Sequence, residues 1–274
     1  MKINILGTAD AISLNCYNTC FTISEGEEHF LIDCGGGNGI LKQLKSKNIK
    51  ITNITNIFIT HTHTDHILGI IWVLRMICRA YFYGELNTKS TIKIYGNDEV
   101  INAIDVMSRC VLPPKFYNLI GNQIKLIEVK SGDEVIILNK KVKFFDINAS
   151  KVKQFGFYMY YEKNKKFVFL GDECYNEKSQ KYVEDCEWLF ADAFMAGEEG
   201  DRYNPMEKHH HSTVRYISTI AQNLNVKNLI LSHIKSEDVS FELENRKQIF
   251  EEDAKKYYEG KVYVPDDLDE IELK

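Results

Sequence analysis

The sequence predicts an α/β chain whose strands pack as a sandwich of two sheets with helices on the outside. Three observations carry that expectation. Short β-branched and aromatic runs alternate with segments of helical periodicity along the 274 residues. The strand-like runs fall into two groups. Hydrophobic residues make up 44% of the chain, enough to fill a substantial core.

Taken in order, residues 2–6 form a short strand ending in Gly7-Thr8-Ala9. Residues 15–24 and 29–33 are expected to pair as a hairpin around Gly26-Glu27-Glu28. The second of these strands runs Phe30-Leu31-Ile32-Asp33-Cys34 into three glycines. A carboxylate at the end of a buried strand is costly unless it finds partners. Residues 40–47 read as a short amphipathic helix, 54–60 as a buried strand, and 67–82 as a helix turning Trp72, Leu74, Met76 and Ile77 mostly to the core. A strand at 91–95 and a helix at 97–107 lead to a loop at Pro113-Pro114. Strands follow at 124–129, 134–138 and 141–147, then a hairpin of 155–161 with 166–170, and strands at 188–194 and 229–233.

The chemistry concentrates in Ile57-Phe58-Ile59-Thr60-His61-Thr62-His63-Thr64-Asp65-His66-Ile67-Leu68-Gly69. His61 and His63, two apart on an extended chain, project the same way, so both imidazoles reach one ion. Asp65 and His66 follow at the turn into a helix, placed to grip a second ion. Imidazole and carboxylate at this density suit zinc, manganese or iron(II) rather than calcium, which prefers oxygen shells.

This HxHxDH pattern resembles the metallo-β-lactamase superfamily, most closely its ribonuclease Z-like and phosphodiesterase branch. The resemblance covers nearly the whole chain and implies a four-layer αββα sandwich, a single hydrolase domain over residues 1–274, with metals at one sheet edge between the layers. It assigns His61, His63, Asp65, His66, Asp172 and His233 as ligands of two divalent cations, zinc first and manganese or iron next. Asp172, after Phe169-Leu170-Gly171, takes the bridging place; His233 ends the strand Leu229-Ile230-Leu231-Ser232. Asp33 matches an aspartate that supports the ligand loop. His211, in His211-Ser212-Thr213, matches the residue that protonates the leaving oxygen, and Asp192 falls where a carboxylate orients it. His209 and His210 are extra and have no assigned role. One ligand is missing: the branch carries a third histidine for the first ion before a Gly-aromatic pair, and the corresponding position is taken to be Ala149. Its side chain is expected to point at His61 and His63, leaving the first ion weakly held.

The implied reaction is hydrolysis of a phosphodiester by water activated between the two cations, with Asp65 also able to accept the proton. Ribonucleases Z insert a tRNA-gripping arm between the third histidine and the bridging aspartate; the short hairpin here leaves no room for it. A formal charge of −5 also disfavours a partner held through many phosphates, although Lys151 to Lys153 and Lys163 to Lys166 are local basic patches. The expected substrate is therefore a small-molecule phosphodiester, such as a cyclic nucleotide, rather than tRNA. Tyr81, Phe82, Tyr83, Phe116 and Tyr117 are candidates to stack a base, with core packing the plainer role for most. Arg75 and Arg79 share a helix face that could meet an anion, though a solvated face explains them better. The alternatives are a thioester or lactone hydrolase of the same fold, or a non-catalytic binding protein, natural or deliberately inactivated, lacking the third histidine. Seven cysteines without a CxxC pair, no signal peptide and no apolar run of membrane length suggest a cytoplasmic protein with reduced thiols. Homodimer formation is compatible with all of this.

Overall fold

The computed structural model describes residues 1–197, 200, 210–235 and 243–274. The strands are β1 (Lys2–Gly7), β2 (Cys20–Glu25), β3 (Glu28–Ile32), β4 (Ile54–Phe58), β5 (Ile92–Gly96), β6 (Ile124–Glu128) and β7 (Glu134–Ile137). They continue as β8 (Lys140–Asp146), β9 (Phe155–Glu162), β10 (Lys165–Phe169), β11 (Trp188–Asp192), β12 (Asn228–Ser232), β13 (Lys261–Tyr263) and β14 (Glu270–Glu272). Two seven-stranded sheets result, ordered β14-β1-β2-β3-β4-β5-β6 and β13-β12-β11-β10-β9-β8-β7.

The helices among the described residues are α1 (Gly39–Ser46), α2 (Thr64–Ile67), α3 (Ile70–Phe82), α4 (Asp98–Val111), α5 (Pro114–Tyr117), α6 (Gln180–Val183), α7 (Val214–Asn223) and α8 (Leu243–Ala254). Alternation along each strand sends one set of side chains between the sheets and the other toward the helices. Ile3, Ile5, Phe21, Phe30, Phe58, Phe157, Phe167 and Phe190 fill the middle layer, where Phe21 and Phe190 stack with centroids 4.5 Å apart. Leu6, Leu31, Ile57 and Ile94 face α1, α3 and α4. Val168, Leu189, Leu229 and Leu231 face α7 and α8. The four-layer αββα sandwich expected from the sequence is what forms.

Each sheet has a parallel portion, β3-β4-β5-β6 in one and β10-β11-β12-β13 in the other. Their carboxyl ends meet along one edge of the sandwich, the usual place for ligands in open parallel sheets.

Two local differences from the sequence reading have clear causes. The expected strand at 15–24 begins only at Cys20, because Tyr17 is drawn into side interactions: its N–H donates to Asp267 (2.6 Å) and its hydroxyl contacts the carbonyls of Cys34 and Gly37 (2.9 Å each). The expected helix at 67–82 is broken between α2 and α3. Gly69 gives its N–H to the carbonyl of Gly35 at 2.8 Å instead of to its own helix. A Cβ there would lie 1.9 Å from the Cys34 oxygen, so only glycine lets the ligand loop sit on the glycine-rich turn. The helices α7 and α8 and the strands β13 and β14 had no counterpart in the sequence reading.

Candidate metal centre

The strands β3, β4, β10, β11 and β12 end within reach of one another, and each delivers part of a polar cluster. Asp33, following β3, adopts φ 53°, a left-handed conformation that aspartate tolerates better than most residues. Its Oδ1 accepts the Thr60 N–H (2.8 Å) and the Thr60 hydroxyl reaches its Oδ2 (2.9 Å). Oδ2 also accepts from His66 Nδ1 at 2.7 Å. The buried carboxylate is thus fully partnered, although burial still pushes its pKa up against the effect of His66. With its Nδ1–H held by Asp33, His66 turns Nε2 and its lone pair inward. Thr60, already donating to Asp33, lies 2.9 Å from His61 Nδ1 and accepts its proton, which fixes His61 in the same tautomer.

Asp172 Oδ2 sits at the middle of the cluster. It lies 3.6 Å from His61 Nε2, 3.3 Å from His66 Nε2 and 3.5 Å from His233 Nε2. Asp65 Oδ2 is 3.3 Å from His66 Nε2 and 3.4 Å from His233 Nε2. Three groups bring donor atoms within 4.8 Å of one another: His61, His63 and Asp172; Asp65, His66 and His233; and Asp172, His211 and His233. The six residues expected as ligands therefore share one site. His61 Nε2 and His66 Nε2 are buried and make no hydrogen bond. Unpaired ring nitrogens facing carboxylate oxygens fit a divalent transition metal or zinc.

Burial holds the His61 pKa well below its usual value, so its imidazole is neutral and able to ligate. For His66 and His233 burial pulls the same way but carboxylates win. Asp65, Asp33 and Asp172 raise His66 well above normal, and Asp192 and Asp65 push His233 up to about 10. Asp65 and Asp172 are burdened by burial, yet the surrounding imidazoles hold both far below the carboxylate range.

His211 lines the pocket beside this cluster, between the rings of Phe194 (4.7 Å) and His233 (4.9 Å). Asp192 lies 3.4 Å from both His211 Nδ1 and His233 Nδ1, so one carboxylate serves two imidazoles. Its Oδ2 also accepts the Ser212 N–H at 2.5 Å, and Thr213 caps α7 by accepting the Tyr216 N–H. The His-Ser-Thr triplet thus divides into a pocket residue, an anchor and a helix cap. His210 donates nothing to the cluster; its carbonyl accepts the Cys174 N–H at 2.8 Å. His209 lies outside the described residues. The pocket has a volume of about 560 Å3, and its lining includes Ile12, Lys151 and Lys235.

Ala149 is not at this site. Asn148, at φ 58°, makes a tight turn on Asp146, and Ala149 lines a separate depression with Glu99 and Lys178. The loop closes where Ile147 N–H donates to the Gln154 carbonyl (3.1 Å), and Phe155 N–H then donates to the Thr60 carbonyl (3.1 Å). That second bond ties the start of β9 to the ligand loop. It is Gln154, not Ala149, whose side chain meets His61 and Asp172, with Nε2 2.8 Å from His61 Nδ1 and donating to Asp172 Oδ1. Its place before Phe155-Gly156-Phe157 was the available signal. The base-stacking candidates also lie elsewhere: Tyr81, on α3, and Phe116, on α5, belong to the core, Phe82 packs on Phe116, Tyr83 stands under Arg79, and Tyr117 bonds Asp105. Among the described residues, the phenyl ring lining the pocket is that of Phe194, which the sequence places within a strand. Arg75 and Arg79 rest on Phe116 and Tyr83 rather than on the site.

Residues 1–257 match the family described as Anti-Pycsar protein Apyc1. The chain is 25% identical to ribonuclease Z of Methanocaldococcus jannaschii, with all of this chain and 98% of that one aligned. Among solved structures it resembles the metallo-β-lactamase fold protein YhfI from Bacillus subtilis (TM-score 0.77, 17% identity, 98% of each chain covered). It also resembles human tRNase Z, short form, with a TM-score of 0.73, 22% identity and complete coverage of both chains.

Proposed function

Because the chain belongs to the Anti-Pycsar protein Apyc1 family and has the metallo-β-lactamase fold of the ribonuclease Z-like branch, we propose that it hydrolyses a small or cyclic phosphodiester, a cyclic nucleotide among them, at a site for two divalent cations. The chain is a metal-dependent hydrolase. The observation that carries the reading is His211, braced at 3.4 Å by Asp192 beside the six-residue cluster. Neither of the two ligand sets built on His61 and His63 or on Asp65 and His66 includes this imidazole, whereas a phosphodiester needs a proton for its departing oxygen.

His61, His63 and Asp172 would hold one cation and Asp65, His66, Asp172 and His233 the other. Bound divalent cations supply Lewis-acid polarisation and lower the pKa of water toward neutrality. The protein's own groups do the rest. Asp65 takes a proton from the attacking water. His211, kept protonated by Asp192, gives one to the leaving oxygen. Lys151 and Lys235, at the pocket wall, set positive charge near the phosphate, and Phe194 offers an apolar face to the attached group.

Two features favour a small substrate over tRNA. Between Gln154 and Asp172 the chain contains only the tight β9–β10 hairpin. The alignment with the Methanocaldococcus relative extends over 323 positions against 274 residues here, so that enzyme carries insertions this chain lacks. Metal analysis together with turnover of bis(p-nitrophenyl) phosphate, a thioester and a 3′,5′-cyclic nucleotide tests the reading. Bound metal with phosphodiester turnover supports it. Thioester turnover alone would make the protein a carbonyl hydrolase, and metal without any turnover would make it a binding protein.

A further inference from the structure

The site for the first cation has two imidazoles, His61 and His63, and a carboxylate it must share with the second. What stands next to these ligands is a carboxamide. Gln154 is buried at 1% exposure and packs tightly on Gly171: a Cβ there would lie 3.1–3.3 Å from the Gln154 amide atoms, so the amide would have to shift by a few tenths of an ångström. Gly171 also sits at φ 81°, a conformation that favours glycine.

The orientation of the amide follows from its neighbours. Ligation through Nε2 requires His61 to carry its proton on Nδ1, and Thr60 accepts that proton. Gln154 Nε2 also lies 2.8 Å from His61 Nδ1, but with that nitrogen protonated two donors face each other and the contact is no hydrogen bond, so Asp172 Oδ1 is the acceptor of the amide N–H. The reverse orientation would press the amide oxygen against a buried carboxylate oxygen, two acceptors without a proton between them. In the bonded orientation Oε1 is the amide atom without a partner, and Oδ2 of Asp172 is left as the oxygen that faces the imidazoles.

We propose that Gln154 compensates for the missing third imidazole as a positioning residue: its N–H ties down Asp172 Oδ1, so that Oδ2 is held toward His61, His63 and the first cation. The carboxamide acts on a ligand and does not itself ligate. This rests on the metal reading of the site given above.

Co2+ is the probe, added to the full-length, metal-stripped protein and followed by visible absorption, which reports both affinity and coordination. Gln154→Glu, measured at a pH where the added carboxyl is ionised, keeps the size of the side chain but replaces the donor with an acceptor. If Gln154 positions Asp172, this variant binds the cation of the His61–His63 site about 10–100-fold more weakly, the range seen when a group supporting a metal ligand is lost. Simple charge attraction, or direct ligation by the new carboxylate, predicts tighter binding, so the sign decides. Gln154→Ala, which leaves room for water, is expected to weaken the same site and to alter its absorption bands, with a smaller loss at the other site, which shares Asp172 but keeps Asp65, His66 and His233. Unchanged or tighter Co2+ binding in either folded variant overturns the role of Gln154. Failure of the unaltered protein to bind Co2+ at all overturns the metal reading itself.

Discussion

Asp33 Oδ2 and His66 Nδ1 lie 2.7 Å apart in a site where both are buried, and that bond sets which nitrogen His66 turns toward the cluster. The same carboxylate collects the N–H and hydroxyl of Thr60, so Asp33 aligns two imidazoles through one side chain. Asp33→Asn retains the shape and the tolerance for φ 53° but can no longer accept from all three donors. Zinc affinity should fall about 10–100-fold, measured by equilibrium dialysis against the unaltered protein. Equal affinity in the two would show that His66 is oriented by something else.

His211 is expected to act on the substrate and not on the cations. His211→Ala should keep its metal content and lose about 10²–10⁴-fold in turnover on substrates that leave as alkoxides. The loss should be much smaller with bis(p-nitrophenyl) phosphate, whose phenolate departs without protonation. A full metal equivalent lost on this substitution would reassign His211 as a ligand, as the grouping of Asp172, His211 and His233 permits.

The pH profile gives an independent check. Burial works to lower the His211 pKa, but Asp192 outweighs it and the net shift is upward from 6.5. A general acid must be protonated, so activity on a cyclic nucleotide should hold to a pH above 6.5 and fall as pH rises through the raised value. In Asp192→Asn the upward pull is gone and burial prevails, so the alkaline limb should move to lower pH. A limb that stays in place would mean that another group controls it.

The middle layer should be the most sensitive part of the fold. Phe157 is fully buried and meets Phe30, Phe58, Phe167 and Phe169 at centroid distances of 5.5–6.0 Å. Phe157→Ala should cost about 3–5 kcal/mol, read as a lower midpoint in urea denaturation. A loss under 1 kcal/mol would mean that the two sheets close over the gap.

What could be read from the chain alone was local. His61, His63, Asp65 and His66 are close in sequence and follow one strand, so extended geometry and a turn already bring them together. Asp172 and His233 each end an apolar run, and the period of those runs announced the strands that carry them. The surrounding support was decided by the tertiary structure. Gln154 meets His61 across 93 positions, because an Asn148 turn diverts Ala149 and the Phe155–Thr60 bond joins strands of different sheets. Asp192 serves His233 as well as His211 because β11 and β12 run side by side. Gly69 lets the ligand loop rest on the Cys34 carbonyl and Gly171, at φ 81°, packs closely against a buried amide, and both roles appear only once the strands are assembled. Strand ends follow from periodicity along the chain, whereas the hydrogen bonds that aim a ligand depend on which strand ends are brought together, and packing between the two sheets decides that.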